Sequence, residues 1–138
     1  MSEADLDPAM RLAVSVIRRA RAGECVELIE MVLKRFEATP HRCHDNVREW
    51  VAMHPELEHV RGFLVANQAE IDTSLVISHS VVGVPKDGTV RDITPNDAKY
   101  RYPFVRHIGT LEEFELIAGK EPFMLEVPNA LLRKLGVI

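Results

Sequence analysis

The stretch Leu75–Val84, LVISHSVVGV, decides the fold. It is rich in β-branched residues and reads as a strand. Side chains alternate along a strand, so Leu75, Ile77, His79 and Val81 share one face, while Val76, Ser78, Ser80 and Val82 share the other. Pro85-Lys86-Asp87-Gly88 follows as a turn, and Thr89–Thr94 reads as the returning strand. A four-residue loop sets Val84 opposite Thr89 and Asp92 opposite Val81. Asp92 is then a diagonal neighbour of His79 on the same face. A three-residue loop would send Asp92 to the opposite face.

Outward from this hairpin, Val60–Ala66 and Phe104–His107 read as further strands, and Phe123–Val127 as a short extended piece. Asp7-Pro8 is a helix start, with a capping side chain followed by proline at the first helical position. Leu12, Ala13, Val16, Ile17 and Ala20 then recur at helical spacing, and Gly23 ends the run. Cys25, Leu28, Ile29, Val32, Leu33 and Phe36 show the same spacing and predict a second helix, with Cys25 on its core face. Thr39-Pro40 breaks it. Cys43 to Met53 reads as a third helix, stopped by His54-Pro55. Thr110-x-x-Glu113 has capping-box spacing and opens a helix to about Ala118, and Asn129–Leu135 is a last helical stretch closed by Gly136. Helices first and mainly antiparallel strands afterwards predict an α+β class, with N-terminal helices packed on a small sheet and residues 1–138 in a single domain.

The composition is that of a globular chain, 46% hydrophobic and 28% charged, with a net charge of −4. The densest basic group, Arg18-Arg19-Arg21, lies on an amphipathic helix and makes no stripe, so nucleic acid is not an expected partner. No apolar run suits a membrane span, and the acidic Met1–Asp5 does not resemble a signal peptide. Two cysteines make no disulfide framework, and a reducing cytoplasm is the expected location.

Three residues carry chemistry. Cys43 falls at the first turn of a helix, where partial positive charge and free N–H groups favour a thiolate, and Arg42 and His44 flank it. A small buried apolar residue is the competing reading for any free cysteine. His79 interrupts an aliphatic strand and needs a partner for each ring nitrogen. Asp92, a residue type disfavoured in strands, is placed to be one. Thiol, imidazole and carboxylate in this order suit nucleophilic catalysis, with the acid orienting the base.

The order and spacing resemble the papain-like superfamily in its transglutaminase-type arrangement. Cys43-His44-Asp45-Asn46-Val47 also resembles the Cys-x-Glu-Asn-Val segment of protein N-terminal glutamine amidohydrolases. His79-Ser80-Val81-Val82 and Asp92-Ile93-Thr94 are similar to later motifs of that family and of small uncharacterised bacterial and phage proteins. The resemblance covers about residues 41 to 95. It implies Cys43 as nucleophile, His79 as general base and acid, and Asp92 as orienting carboxylate. The implied activity is thiol-dependent acyl transfer on an amide, as a deamidase, amidohydrolase or transamidase, with no cofactor. The partner would be an amide-bearing peptide, protein or small molecule.

Residues 1–42 contain no Gln or Asn, so an oxyanion hole would combine the Cys43 N–H with another donor, for which His41, Arg42, Asn67 and Gln68 are candidates. Asn46, one turn past Cys43, is a candidate to line the site, and Trp50, Tyr100 and Tyr102 to wall a substrate pocket. His107 is a candidate for the same cleft or a satisfied strand histidine. The absence of an upstream amide donor and the short chain favour a side-chain or terminal amide over an internal peptide bond. His41, Cys43, His44, His54 and His59 invite a metal-binding alternative, but no ligand pairs stand at zinc spacing and no metal is expected. A non-enzymatic accessory protein built on the same core is the other alternative.

Overall fold

A computed structural model describes residues 2–33, 36, 38, 42–95, 102–118 and 124–138. In chain order the elements are α1 (Pro8–Arg21), β1 (Leu28–Glu30), α2 (Cys43–Met53), β2 (Glu58–Gln68), β3 (Thr73–Val84), β4 (Thr89–Asp92), β5 (Phe104–Arg106), α3 (Leu111–Ala118), β6 (Met124–Pro128) and α4 (Asn129–Lys134). The class is α+β. The six strands form one mixed sheet in the order β1-β4-β3-β2-β5, with β6 also on β3. Only β1 and β4 run parallel; the other pairs are antiparallel. No helix among the described residues is long and apolar enough to cross a membrane.

Local signals place most ends. Asp7 accepts from the Met10 N–H at 2.9 Å and Pro8 occupies the first turn of α1. Gly23 and Gly88 take φ of +83° and +72°, where a side chain would be strained. Thr110 Oγ1 accepts from the Glu113 N–H at 3.1 Å and starts α3. The β3–β4 loop has four residues: Val84 pairs with Thr89, Gly83 with Val90 and Val82 with Arg91.

One expected element is wrong. The helix read over Cys25–Phe36 is absent: Leu28–Glu30 is a strand. Inside this segment Val26 and Leu28 face the apolar cluster of Val60, Val81 and Phe104, while Ile29 between strand neighbours is 44% exposed. That is alternation of period two, which a few apolar residues also show under a helical count. Cys25 is accordingly exposed, its thiol donating to the Ala20 carbonyl at 3.7 Å, and it is no core residue.

The segment has a further role. Val26 makes an isolated antiparallel bridge to Phe104 of β5, while Leu28 and its successors pair with β4. The two ends of the strand order are thereby joined and the sheet curls. Its inner face holds Val60, Val81, Phe104, Leu64 and Val90. Its outer face carries Phe63, Val76, Val105 and Val127 against Ala13, Val14 and Ile17 of α1, Phe114 and Ile117 of α3, and Leu132 of α4. Val82 and Ile93 meet Val47 of α2 on the same side.

β2 takes one edge of β3 from Thr73 to Gly83. The other edge is shared. β6 covers Thr73–Ile77 and β4 covers Val82–Val84, so among the described residues no strand pairs with positions 78–81 there. The site forms at this gap.

Gly62 lies opposite His79 in the β2–β3 register, and a Cβ there would come within 2.4 Å of the Val105 carbonyl oxygen and 2.5 Å of the Phe104 ring. The glycine lets β5 and the Phe104 ring close over the strand. Gly62→Ala is expected to destabilise the protein by about 1–3 kcal/mol, as overpacking of a core does, read as a lowered urea midpoint at unchanged slope.

Candidate active site

His79 and Asp92 lie on the inner face, on strands whose register is set by the four-residue loop. His79 Nε2 and Asp92 Oδ2 are 2.8 Å apart, and both side chains are 12% exposed. Cys43 is the first residue of α2, and its thiol hydrogen-bonds with the His79 ring. With Nε2 taken by Asp92, Nδ1 is the nitrogen left for sulfur. The three side chains predicted from sequence therefore form a connected row of thiol, imidazole and carboxylate.

The row is braced into a ring. Asp92 Oδ1 accepts from the Thr94 N–H at 3.2 Å. Thr94 Oγ1 accepts from Asn46 Nδ2 at 3.0 Å, and Asn46 stands one helical turn after Cys43. Asn46 is 3% exposed. Its amide thus ties α2 to the end of β4 and holds nucleophile and acid at a set separation.

Electrostatics follow from these contacts. Burial pushes the Cys43 thiol up, but hydrogen bonds and charge from His44 and His79 outweigh it and bring the pKa down to about 6. Burial likewise disfavours the charged His79 ring, yet bonds to Asp92 and Cys43 and their negative charge hold its pKa at about 9. Between these values the stable form is a thiolate–imidazolium pair. α2 starts without a side-chain cap, so the positive end of its dipole is left for the thiolate.

A second polar row was not anticipated from the sequence. His44 Nδ1 lies 2.5 Å from Ser80 Oγ and His44 Nε2 lies 3.2 Å from Ser78 Oγ. Ser80 Oγ also lies 2.8 Å from His59 Nε2. Ser78 and Ser80 occupy the outer face of β3, behind His79, at 3% and 0% exposure. Two buried serines alternating with valines on the strongest strand were the visible signal, since each needs a partner.

Other expected positions fall elsewhere. Asn67 pairs with Ser74, five residues along β3 from His79 or ~16 Å away, and accepts from Asn129 Nδ2. Neither it nor Gln68 can serve an oxyanion at Cys43. His107 donates to, or is held by, the Thr110 carbonyl at 2.7 Å and packs on Phe63 and Phe114, outside the cleft of His79. Trp50 is two turns beyond Cys43, packed against Phe36 and the His54 ring, where it serves the α2 cluster. Tyr102 is 39% exposed, and no hydrogen bond or ring contact joins it to the three. Tyr100 and His41 lie outside the described residues. Among the described residues no group of three or more His, Cys, Asp or Glu side chains is arranged to hold a metal ion.

Comparison with family models, with curated proteins and with solved structures gives no match to this chain.

Two outcomes are expected. In a Cys25→Ser background, iodoacetamide alkylation of Cys43 should rise with pH through a midpoint near 6. In His79→Ala the midpoint should move up toward the ordinary thiol range of about 8.5. Identical profiles would break the link between the two residues. Asn46→Ala should cost about 1–3 kcal/mol, the usual penalty for orphaning a buried partner, measured by thermal and urea unfolding.

Proposed function

We propose that this protein catalyses thiol-dependent acyl transfer on an amide, through Cys43 as nucleophile, His79 as general acid and base, and Asp92 as orienting carboxylate. The observation that carries the reading is the His79–Asp92 bond of 2.8 Å with the Cys43 thiol on the same ring. We further propose that the curled sheet with α2 at its open edge is a papain-like core of the transglutaminase type.

The chemistry follows from charge. Above about pH 6 the Cys43 thiolate attacks the amide carbon, and the C=O electrons move onto oxygen. The carbonyl re-forms as the C–N bond breaks, and the His79 imidazolium gives its proton to the departing nitrogen, which leaves as ammonia or an amine. A thioester remains on Cys43. His79, now neutral, takes a proton from water or from an amine acceptor, which attacks the thioester. The C–S bond breaks and the thiolate returns. Asp92 keeps the His79 tautomer fixed and stabilises the ring when it is charged.

A side-chain or terminal amide is the favoured target. Asn67 and Gln68, the upstream-independent amide donors considered for the oxyanion, are far from the thiol, so the α2 N-terminus is the nearest set of donors. Such a narrow arrangement suits a small carboxamide better than an extended peptide backbone.

Incubation with glutamine-bearing peptides should release ammonia, or transfer an added amine, without cutting the chain. Mass spectrometry reads deamidation as a gain of about one dalton; backbone cleavage gives two fragments. Cys43→Ala should abolish turnover, and Asp92→Asn should lower it by about 10²–10⁴-fold with the fold intact. Turnover should rise through pH 6 and fall through about pH 9, as the thiol ionises and then the imidazolium loses its proton. Cys43-dependent fragments would replace the amide class. No turnover with any peptide or amine, together with an unreactive Cys43, would transfer the protein to the accessory class.

A further inference from the structure

Behind the triad, on the outer face, lies a second cleft of about 160 Å³ lined by His59, Arg61, Arg106, His107, Gly109 and Leu111 among others. No carboxylate lines it. Arg61 makes no hydrogen bond or ion pair among the described residues. Arg106 is half exposed, and its guanidinium meets only the Glu58 carboxylate, at a loose 3.8 Å. His59 and His107 each spend one ring nitrogen on the protein, on Ser80 and on the Thr110 carbonyl, and keep the other. Two under-compensated guanidinium groups and two half-used imidazoles converge on one small concavity. Arginine forks match oxygen pairs, so the complementary ligand is a single oxyanion group.

We propose that this cleft binds a phosphate or carboxylate group between Arg61 and Arg106, and that its occupancy is felt at Cys43 through His59, Ser80 and His44. The coupling has a continuous path. Ser80 Oγ sits between His59 Nε2 and His44 Nδ1, at 2.8 and 2.5 Å. One hydroxyl donates a single proton, so it donates to one ring and accepts from the other. A change in the protonation of His59 therefore reorients the hydrogen bond to His44, whose ring is one of the two that act on the Cys43 thiol. In the empty cleft, burial and the positive charge of Arg61, His44 and Arg48 keep His59 neutral, with its pKa near 4. An oxyanion beside Arg61 opposes that charge and favours a second proton on His59. Glu58, beside Arg106, and Glu113, at Gly109, are the acids nearest the rim and are the natural competitors for the arginines. The site does not depend on the proposed amide chemistry, because both readouts below use the thiol and the rings alone.

The test is a titration of the whole protein with inorganic phosphate, and separately with acetate, at constant ionic strength. The His59 ring resonances report binding, and the iodoacetamide rate at Cys43 reports coupling. A saturable shift of His59 is expected, with its pKa raised, and binding at least about tenfold weaker in Arg61→Gln and in Arg106→Gln. Arg133→Gln, on the far side of the molecule, should bind as the parent does. Saturation should change the Cys43 alkylation rate at least about twofold in the parent. In Ser80→Ala the anion should leave that rate unchanged, each variant being compared with itself and checked for native dispersion of its spectrum. Preference between phosphate and acetate identifies the oxyanion. A shift that never saturates, or that persists in both arginine variants, overturns the site. Saturable binding with an unchanged alkylation rate in the parent overturns the coupling.

Discussion

The turn between β3 and β4 contains four residues, and side-chain alternation converts that length into chemistry. Because Val84 meets Thr89, Asp92 projects to the face of His79 and lands 2.8 Å from its ring. One residue fewer would reverse the face of every β4 side chain. Asp87 and Gly88 hold the length: Asp87 accepts from the Thr89 N–H at 2.9 Å, and Gly88 supplies the positive φ. Val90 and Asp92 then share the inner side, one filling the apolar interior and the other meeting the imidazole.

The nucleophile reaches this pair from outside the sheet. α2 packs by Val47 on Val82 and Ile93 of the outer face, whereas His79 belongs to the inner face. They meet because β4 and β6 share one edge of β3 and leave positions 78–81 without a strand. The backbone opening that would weaken an ordinary sheet is where the thiol enters. Asn46 and Thr94 close the ring of contacts, so a shift of α2 strains the position of the carboxylate as well as that of the sulfur.

How much of this was legible can be argued from particular residues. The hairpin, α2 and the row Cys43, His79 and Asp92 followed from alternation, loop length and a helix start, all local signals. The segment after Gly23 misled because four or five apolar residues fit both a helical and a strand count; its choice depends on Phe104 and Val90, far along the chain. Cys25 went wrong with it. The serine–histidine row was hidden for a related reason. His59, His44 and Ser80 come from three elements, and nothing in the spacing of any one of them announces the other two. Asn46 was singled out correctly by its position relative to Cys43, but its partner Thr94 shows that it braces the site from within the fold.

The way the sheet closes also sets an order of assembly. His79 and Asp92 belong to one hairpin, and short loops form early because little chain entropy is lost in closing them. The Val26–Phe104 bridge joins distant parts of the chain, and such contacts form slowly. Cys43 acquires its lowered pKa only when α2 has docked against the finished sheet. A growing or unfolded chain therefore carries two ordinary thiols, and the reactive one is created by completion of the fold.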